Sequence, residues 1–531
     1  MHYYLSFVPL LLLAIVSGFG LTDVKSPAPQ EKRPNIIFIL SDDHAYQAVS
    51  AYDHPIGRAA PTPHIDRIGR SGVRFDRAYC GNALCGPSRA TILTGKHSHV
   101  NGFKQNGNRF DATQWQWHKD LHAAGYRTAV IGKWHLGVEP EGFDYSDVLP
   151  GQGSYYNPEF RRNGAETYRM EGYTTDIITD KSLAWLQAAR TEHPDRPFAL
   201  LLWHKSPHRN WQPAPRHHNL YDSTYFPVPD NYFDNYRGRP AAAAQAMEVA
   251  NPAHVYEGHD LKMTVAVSND TLRNDPWPEQ FSRFTSEQLR EWNEHYRAKN
   301  DHFNRLEPYL EEAQVDLWKY QRYLQEYCAS VASVDDGVGR VLDYLEESGL
   351  DENTIVIYTS DQGFFLGEHG WLDKRFMYEE SMRIPLLMQY GSAIPAGRVS
   401  NALVQNIDFA ATLLDFAGLP IPAAVQGKSF RAAATGTGPD EQYEALYYHY
   451  YEFPGFHDVR RHYGVKTDRY KLMHFYGDID AWELYDLKTD PLEMRNLYGG
   501  EGYAAVTDDL KKQLDGLMKK YAVPPKEEWM K

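Results

Sequence analysis

Residues 35–43 read Asn-Ile-Ile-Phe-Ile-Leu-Ser-Asp-Asp, an unbroken apolar run that stops on two adjacent carboxylates. A strand with no polar face must be covered on both sides, which is the habit of parallel sheets. Three more runs share the pattern. Thr128–Ile131 (TAVI) ends in Gly132-Lys133-Trp134-His135. Phe198–Trp203 (FALLLW) ends in His204-Lys205-Ser206-Pro207-His208. Thr354–Thr359 (TIVIYT) ends in Ser360-Asp361-Gln362-Gly363. Helical patterns lie between the runs, at Ala112–Ala124 and over Val315–Ser348 ahead of Gly349. This alternation predicts an α/β fold: a large, mostly parallel sheet flanked by helices. Ligands of such sheets sit beyond the carboxyl ends of the strands, where all four runs place their charged groups.

The chain of 531 residues has room for more than one domain. At 42% hydrophobic and 24% charged it is neither disordered nor fibrous. With 55 basic and 70 acidic residues its net charge is −15, which repels a nucleic-acid backbone. A small anion can still bind in a local basic pocket. Residues 209–314, rich in Pro, Asn, Tyr and charge, read as a long excursion from the sheet with one polar helix near Ser286–Arg305. After Gly418-Leu-Pro-Ile-Pro422 the composition shifts. Tyr443–Tyr451, Gly464–Phe475 and Ala481–Leu487 carry strand-forming patterns, and a helix near Thr507–Tyr521 closes the chain. The expected organisation is an α/β domain over 33–425 and a smaller α+β subdomain with an antiparallel sheet over 426–531. The apolar run Phe7–Val16 is too short to span a bilayer of about 30 Å. With the small residues Ser17, Gly18 and Gly20 behind it, it reads as the core of a signal peptide over residues 1–22. The expected protein is exported, periplasmic or secreted, and has no membrane span. Three cysteines (Cys80, Cys85 and Cys328) cannot build a disulfide framework, so the odd thiol needs another explanation.

Asp42-Asp43 and Asp361-Gln362 offer oxygen ligands from two strand ends, a set suited to a hard divalent cation, Ca²⁺ or Mg²⁺. Cys85-Gly-Pro-Ser-Arg89 places a proline near the first turn of a helix. Cys85 therefore stands at a helix N-terminus, where backbone N–H groups and the dipole favour an anion.

Cys85-x-Pro-Ser-Arg89, with Thr94-Gly95 behind it, resembles the signature of the type I sulfatases of the alkaline-phosphatase superfamily. Further pieces match in order: Asp42-Asp43, Gly132-Lys-Trp-His135, Pro207-His208, Asp361 with Gly363, and Lys374. The C-terminal Glu483-Leu-Tyr-Asp-Leu487, Asp490-Pro491 and Asn496-Leu497 resemble the family's tail. The resemblance implies that a separate maturation enzyme oxidises Cys85 to formylglycine (3-oxoalanine). The aldehyde hydrate carries two hydroxyls: one attacks sulfur and expels the alcohol, and deprotonation of the other regenerates the aldehyde and ejects sulfate. It further implies that Asp42, Asp43, Cys85, Asp361 and Gln362 surround the cation, Ca²⁺ in most of the family. Arg89 and Lys133 would lie nearer the diol and Lys374 nearer the sulfate, stabilising charge. His135 would take the second diol proton and His208 would protonate the leaving oxygen. Gln362 replaces the Asn usual at its position, so the ligand geometry must adjust.

Ser41–Tyr46, His204–Trp211 and Ser360–Trp371 most resemble bacterial N-acetylglucosamine-6-sulfatases. The implied substrate is a 6-O-sulfated sugar of glycosaminoglycan or mucin-type chains, and 14% aromatic content suits either sugar-facing surfaces or core packing. His369, Trp371, Arg375, His457 and Arg461 are the expected sugar contacts, with Glu452 beside them. The alternatives are iduronate-2-sulfatase or arylsulfatase activity, a phosphomonoester or phosphonate hydrolase, and a sulfated-glycan-binding protein without turnover.

Overall fold

The computed structural model describes residues 1–3, 33–263, 278–440 and 442–529. The expected signal peptide lies almost wholly outside them. Residues 33–531 gather into one compact unit. Its main sheet has ten strands: β1 (Asn35–Ser41), β2 (Val73–Phe75), β3 (Arg127–Lys133), β4 (Tyr145–Leu149), β5 (Glu159–Arg162), β6 (Thr167–Arg169), β7 (Phe198–Trp203), β8 (Thr354–Ser360), β9 (Leu386–Gln389) and β10 (Arg398–Ser400). They lie in the order β10-β2-β9-β8-β1-β7-β3-β4-β5-β6. The central five, β8-β1-β7-β3-β4, are parallel. All four apolar runs of the sequence fall inside this group. Antiparallel strands extend it at either side.

The alternation of β1 side chains explains why no polar residue was tolerated there. Ile36, Phe38 and Leu40 enter one core cluster, while Ile37 and Ile39 enter the other. Phe38 meets Phe409 of the helix Asp408–Phe416 edge-on at 5.3 Å. The opposite face is covered by the helices Thr174–Glu192 and Glu312–Ser348. Register then fixes the site. Leu40 pairs with Trp203 on one side and Thr359 on the other, and Trp203 pairs with Gly132. The four strands thus end level, and their polar sequels share one edge.

The expected helix at Ala112–Ala124 is shorter, Trp117–Ala123. Asp111 accepts bonds from the Thr113 amide (3.0 Å) and hydroxyl (2.6 Å), and Gln116 is extended, so local polar bonding holds the preceding residues in turns. The expected strand Gly464–Phe475 is a hairpin of His462–Thr467 and Tyr470–Phe475, closed where the Tyr470 amide donates to the Thr467 hydroxyl at 2.9 Å. With Ala445–Tyr450 and Ala481–Asp486 these strands form a four-stranded antiparallel sheet, backed by the helix Ala504–Lys520. The Tyr448 hydroxyl donates to the Arg375 carbonyl at 2.5 Å, and His462 Nε2 accepts from the Met377 amide at 3.0 Å. The small sheet therefore buttresses the chain just after Lys374. Among the described residues no helix is long and apolar enough to cross a membrane.

Gly132 stands at φ 113°, and a Cβ there would lie 1.9 Å from the Trp203 carbonyl oxygen. Gly132→Ala is expected to lower stability by at least about 3 kcal/mol, combining strain at positive φ with displacement of a central strand, as read by denaturant unfolding.

Candidate active site

Three carboxylates come together at the strand edge. Asp42 and Asp43 follow β1 and Asp361 follows β8, with one oxygen of each within 4.8 Å of the others. Asp43 takes a positive φ of 64°, which turns the chain sharply after the strand, and its amide donates to Asp361 Oδ1 at 3.2 Å. Cys85 opens the helix Cys85–Thr94, as the Pro-Ser-Arg signal predicts, and its sulfur lies within 4.8 Å of an Asp42 oxygen and a His208 nitrogen. Residues separated by more than a hundred positions thus meet at one point. Gly86 donates its amide to Asn106 Oδ1 at 3.2 Å, and the Asn106 amide donates to Glu452 Oε2 at 3.1 Å. Glu452, expected as a sugar contact, holds the loop that braces the Cys85 helix.

The cations interlock with these acids. Arg89 Nε donates to Asp361 Oδ2 at 3.0 Å, and another guanidinium nitrogen donates to the Lys133 carbonyl at 2.5 Å. Lys133 pairs with Asp42, and Lys374 Nζ donates to both oxygens of Asp43 at 2.7 and 2.8 Å. All these side chains are at most 3% exposed. Burial pulls the Lys133 ammonium well below the usual lysine range. Burial also opposes the charge of Lys374, but Asp43 and neighbouring acidic groups overcome it and hold Lys374 above that range. Burial pushes the Cys85 thiol up to about 12, so an unmodified thiol is a poor nucleophile at neutral pH. Burial, reinforced by the neighbouring lysines, holds His135 and His208 well below their ordinary pKa. His208 donates through Nδ1 to the Arg209 carbonyl at 2.6 Å, which leaves Nε2, 3.8 Å from Asp43, as the atom facing the cup.

The donor set fits a divalent cation. Asp42 Oδ1 and Gln362 Oε1 are buried without a hydrogen-bond partner, although three carboxylates crowd the same space. Buried polar atoms are normally satisfied, so two orphaned oxygens beside an acid cluster mark a place for a cation. The Gln362 amide nitrogen meets Asp43 Oδ1, and a half-turn of the amide would present its oxygen instead.

Residues 34–419 match the family model of the sulfatases, and residues 367–520 match that of the C-terminal region of N-sulphoglucosamine sulphohydrolase. This chain belongs to the sulfatase family. The sulfatase is 45% identical over 522 residues to an N-acetylglucosamine-6-O-sulfatase of Bacteroides thetaiotaomicron, covering 97% of this chain and 91% of that one. It is 27% identical over 441 residues to the human N-acetylglucosamine-6-sulfatase, covering 77% of this chain and 65% of that protein. A solved structure in complex with its substrate, D-glucosamine-2-N,6-O-disulfate, superposes with a TM-score of 0.89 at 45% identity, covering 94% of this chain and all of that one. A phosphonate monoester hydrolase from Silicibacter pomeroyi shares the fold, with a TM-score of 0.66 at 21% identity over 92% of this chain and 96% of that one. The alkaline-phosphatase-like fold and the sulfatase activity inferred from the sequence therefore stand. Enzymes of this type generally use formylglycine and a divalent metal ion.

The sulfatase's rim departs from the sequence expectations. Trp371 is fully buried: it stacks between Phe376 (5.0 Å) and Tyr236 (5.4 Å) and donates Nε1 to the Tyr236 hydroxyl at 2.8 Å. His369 is also fully buried and bonds Asp234 Oδ2 through Nδ1 at 2.7 Å. Both pack the turn that carries Lys374. Arg461 spends its guanidinium on the carbonyls of Tyr451 (2.8 Å) and Phe453, so it braces a loop. Arg375 and His457 do converge, on a residue the sequence reading passed over. Asp373 binds the Arg375 guanidinium through Oδ1 and lies 3.2 Å from His457 Nε2 through Oδ2. Arg209 stands 3.2 Å from the same His457 nitrogen and is clamped by Asp260. One further residue also went unread. Lys205 lies beside the cup, where burial lowers it to about 8. His204 is the packing histidine that its place near the strand end suggests, lowered to about 3 by burial. Asp373 and Lys205 each adjoin or lie near a residue that was singled out, and that adjacency is the signal that could have found them.

Trp371→Ala is expected to destabilise the protein by about 3–5 kcal/mol, as for other large buried aromatics. Arg375→Lys, which keeps a positive charge beside buried Asp373, is expected to fold normally and raise KM for a sulfated sugar. Thermal unfolding and steady-state kinetics on both variants separate the core residue from the rim residue.

Proposed function

We propose that this sulfatase removes the 6-O-sulfate of N-acetylglucosamine in glycosaminoglycan or mucin-type glycans, after Cys85 has been converted to formylglycine, and that it acts outside the cytoplasm. The observation that carries the reading is Cys85 at a helix N-terminus, within 4.8 Å of Asp42 and His208. The similarity at 45% identity to an N-acetylglucosamine-6-O-sulfatase supports the choice of sugar.

The formylglycine hydrate supplies the hydroxyl nucleophile, and the divalent cation supplies Lewis acidity toward the sulfate oxygens. The chain's own residues do the rest. Arg89, pinned by Asp361 and the Lys133 carbonyl, keeps positive charge under the nucleophile. Lys133 and Lys374, paired with Asp42 and Asp43, add positive charge for the sulfate oxygens. An ester monoanion entering this cup raises the proton affinity of His208, whose Nε2 then holds the proton that the leaving oxygen needs. His135, held neutral, is free to accept a proton from the nucleophile's second hydroxyl. Three carboxylates and a long amide favour the larger, less geometrically strict Ca²⁺ over Mg²⁺. Arg375, His457 and Asp373 are the sugar-hydroxyl contacts, with Arg209 behind them.

Desulfation of a defined panel tests the reading, using protein whose formylglycine content is verified by peptide mass spectrometry. Expected is turnover of 6-O-sulfated N-acetylglucosamine at least about 10²-fold above 2-O-sulfated uronate, aryl sulfate and the matched 6-phosphate. Preference for any of those esters overturns the substrate assignment. Removal of metal by a chelator is expected to abolish turnover and lower Tm, with Ca²⁺ restoring both at lower concentration than Mg²⁺. A Tm that does not respond to either ion would sink the metal site.

A further inference from the structure

The floor of the cup holds three carboxylates and three matching cations: Arg89 on Asp361, Lys133 on Asp42 and Lys374 on Asp43. Lys205 is a fourth cation. It is 2% exposed, and among the described residues its ammonium has neither a hydrogen-bond nor an ion-pair partner; its contact is with the Tyr155 ring face, 4.9 Å away. Tyr155 is itself fixed, donating its hydroxyl to the His208 carbonyl at 2.5 Å. The His208 amide donates to the Lys205 carbonyl at 3.0 Å, so one tight turn presents both side chains together. Asp43, Cys85 and Lys374 lie near enough to act on the Lys205 charge, and it acts in turn on Lys133, His135 and His208. Lys205 is thus buried on the turn that carries His208, whose Nε2 lies 3.8 Å from Asp43, and has no counter-ion of its own among the described residues.

A buried charge left unpaired is strongly destabilising, by several kcal/mol where it has been measured. It serves no packing purpose that a methionine of similar length would not serve better. Such groups persist where a ligand completes them. We infer that Lys205 is a substrate-contact residue whose ammonium binds a non-bridging oxygen of the sulfate ester on the His208 side of the cup, the fourth cation against the ester's charge. It forms no covalent bond and transfers no proton. The ester S–O bond breaks and the alcohol leaves as already described; Lys205 holds charge on the non-bridging oxygens of the sulfuryl group, and on the sulfate that leaves when the aldehyde reforms. The ring of Tyr155 covers one side of the ammonium, so the contact acts in a dielectric below that of bulk water. The inference rests on the sulfatase activity but not on the identity of the sugar.

Lys205→Met keeps the stem and removes the charge, and Lys205→Arg restores the charge. Formylglycine content at position 85 is matched in all three proteins by mass spectrometry. For Lys205→Met the expected result is a loss of about 10²-fold in kcat/KM. Inhibition by free sulfate weakens at least about tenfold, and Tm is unchanged or higher. Lys205→Arg recovers a measurable part of both activity and sulfate inhibition. Wild-type kcat/KM and sulfate inhibition in Lys205→Met overturn the inference. So does lost activity accompanied by a lowered Tm and unaltered sulfate inhibition, which would be the mark of a structural residue. The comparison uses whichever sulfate ester the wild-type protein cleaves, so a wrong sugar assignment shows in the wild-type panel and leaves the Lys205 result readable.

Discussion

The bond from Arg89 to Asp361 is the constraint on which the rest of the site depends. Both side chains are fully buried, and the bond ties the second turn of the Cys85 helix to the end of a central strand. The same guanidinium reaches the Lys133 carbonyl at the end of a second strand and lies over the Trp203 ring of a third at 5.3 Å. The neighbouring Ser88 hydroxyl adds a bond to the Asp361 carbonyl and accepts one from Asn406 at 2.8 Å. A helix held at this many points cannot slide, so position 85 stays at a fixed distance from the carboxylates. Removing either partner of a buried pair leaves the other charge uncompensated, which makes the fold and the chemistry inseparable here.

That linkage also explains the charge arrangement. Packing three carboxylates within one small space is unfavourable, and each is offset by a cation on a different element. Such a pre-built set needs no reorganisation when an anion arrives, which is how dry polar sites stabilise charge most effectively. The two orphaned oxygens, Asp42 Oδ1 and Gln362 Oε1, show that cations from the chain alone do not satisfy the acid cluster.

The floor of this site was legible in the sequence because strands buried on both faces tolerate only apolar residues. The first polar residues after NIIFIL, FALLLW and TIVIYT therefore had to lie at one sheet edge, and the level register of Leu40 with Trp203 and Thr359 delivers that. The rim was not legible in the same way. Strand alternation gives no guide to side-chain direction in a turn such as 367–375, where His369, Asp373 and Arg375 all take positive φ. Trp371 and His369 consequently point into the aromatic core, although residues two to four places on face the site. Arg461 shows a related effect: loop carbonyls at 451 and 453 compete for a guanidinium that sequence alone leaves free. Lys205 escaped notice because lysines next to histidines are usually solvated, and only the enclosing Tyr155 and Ser206–Asn210 turn show this one to be buried.

The difference between floor and rim is a difference in how each is held. The floor is built from the ends of adjacent strands in one sheet, so its geometry is set by backbone pairing and changes little with surrounding loops. The rim draws Arg209, Asp260, Asp373, Arg375 and His457 from separate segments, joined through side-chain bonds: Arg209 and Asn210 both reach Asp260, and His457 bridges Asp373 and the Ala246 carbonyl at 2.6 Å. One substitution there moves several partners while leaving the carboxylate cluster in place. Changes at the rim can therefore leave the geometry of the floor intact. The small C-terminal sheet belongs to this second layer. It fixes the Arg375 carbonyl through Tyr448 and thereby couples the rim to Lys374 one residue earlier, whose ammonium is held on Asp43.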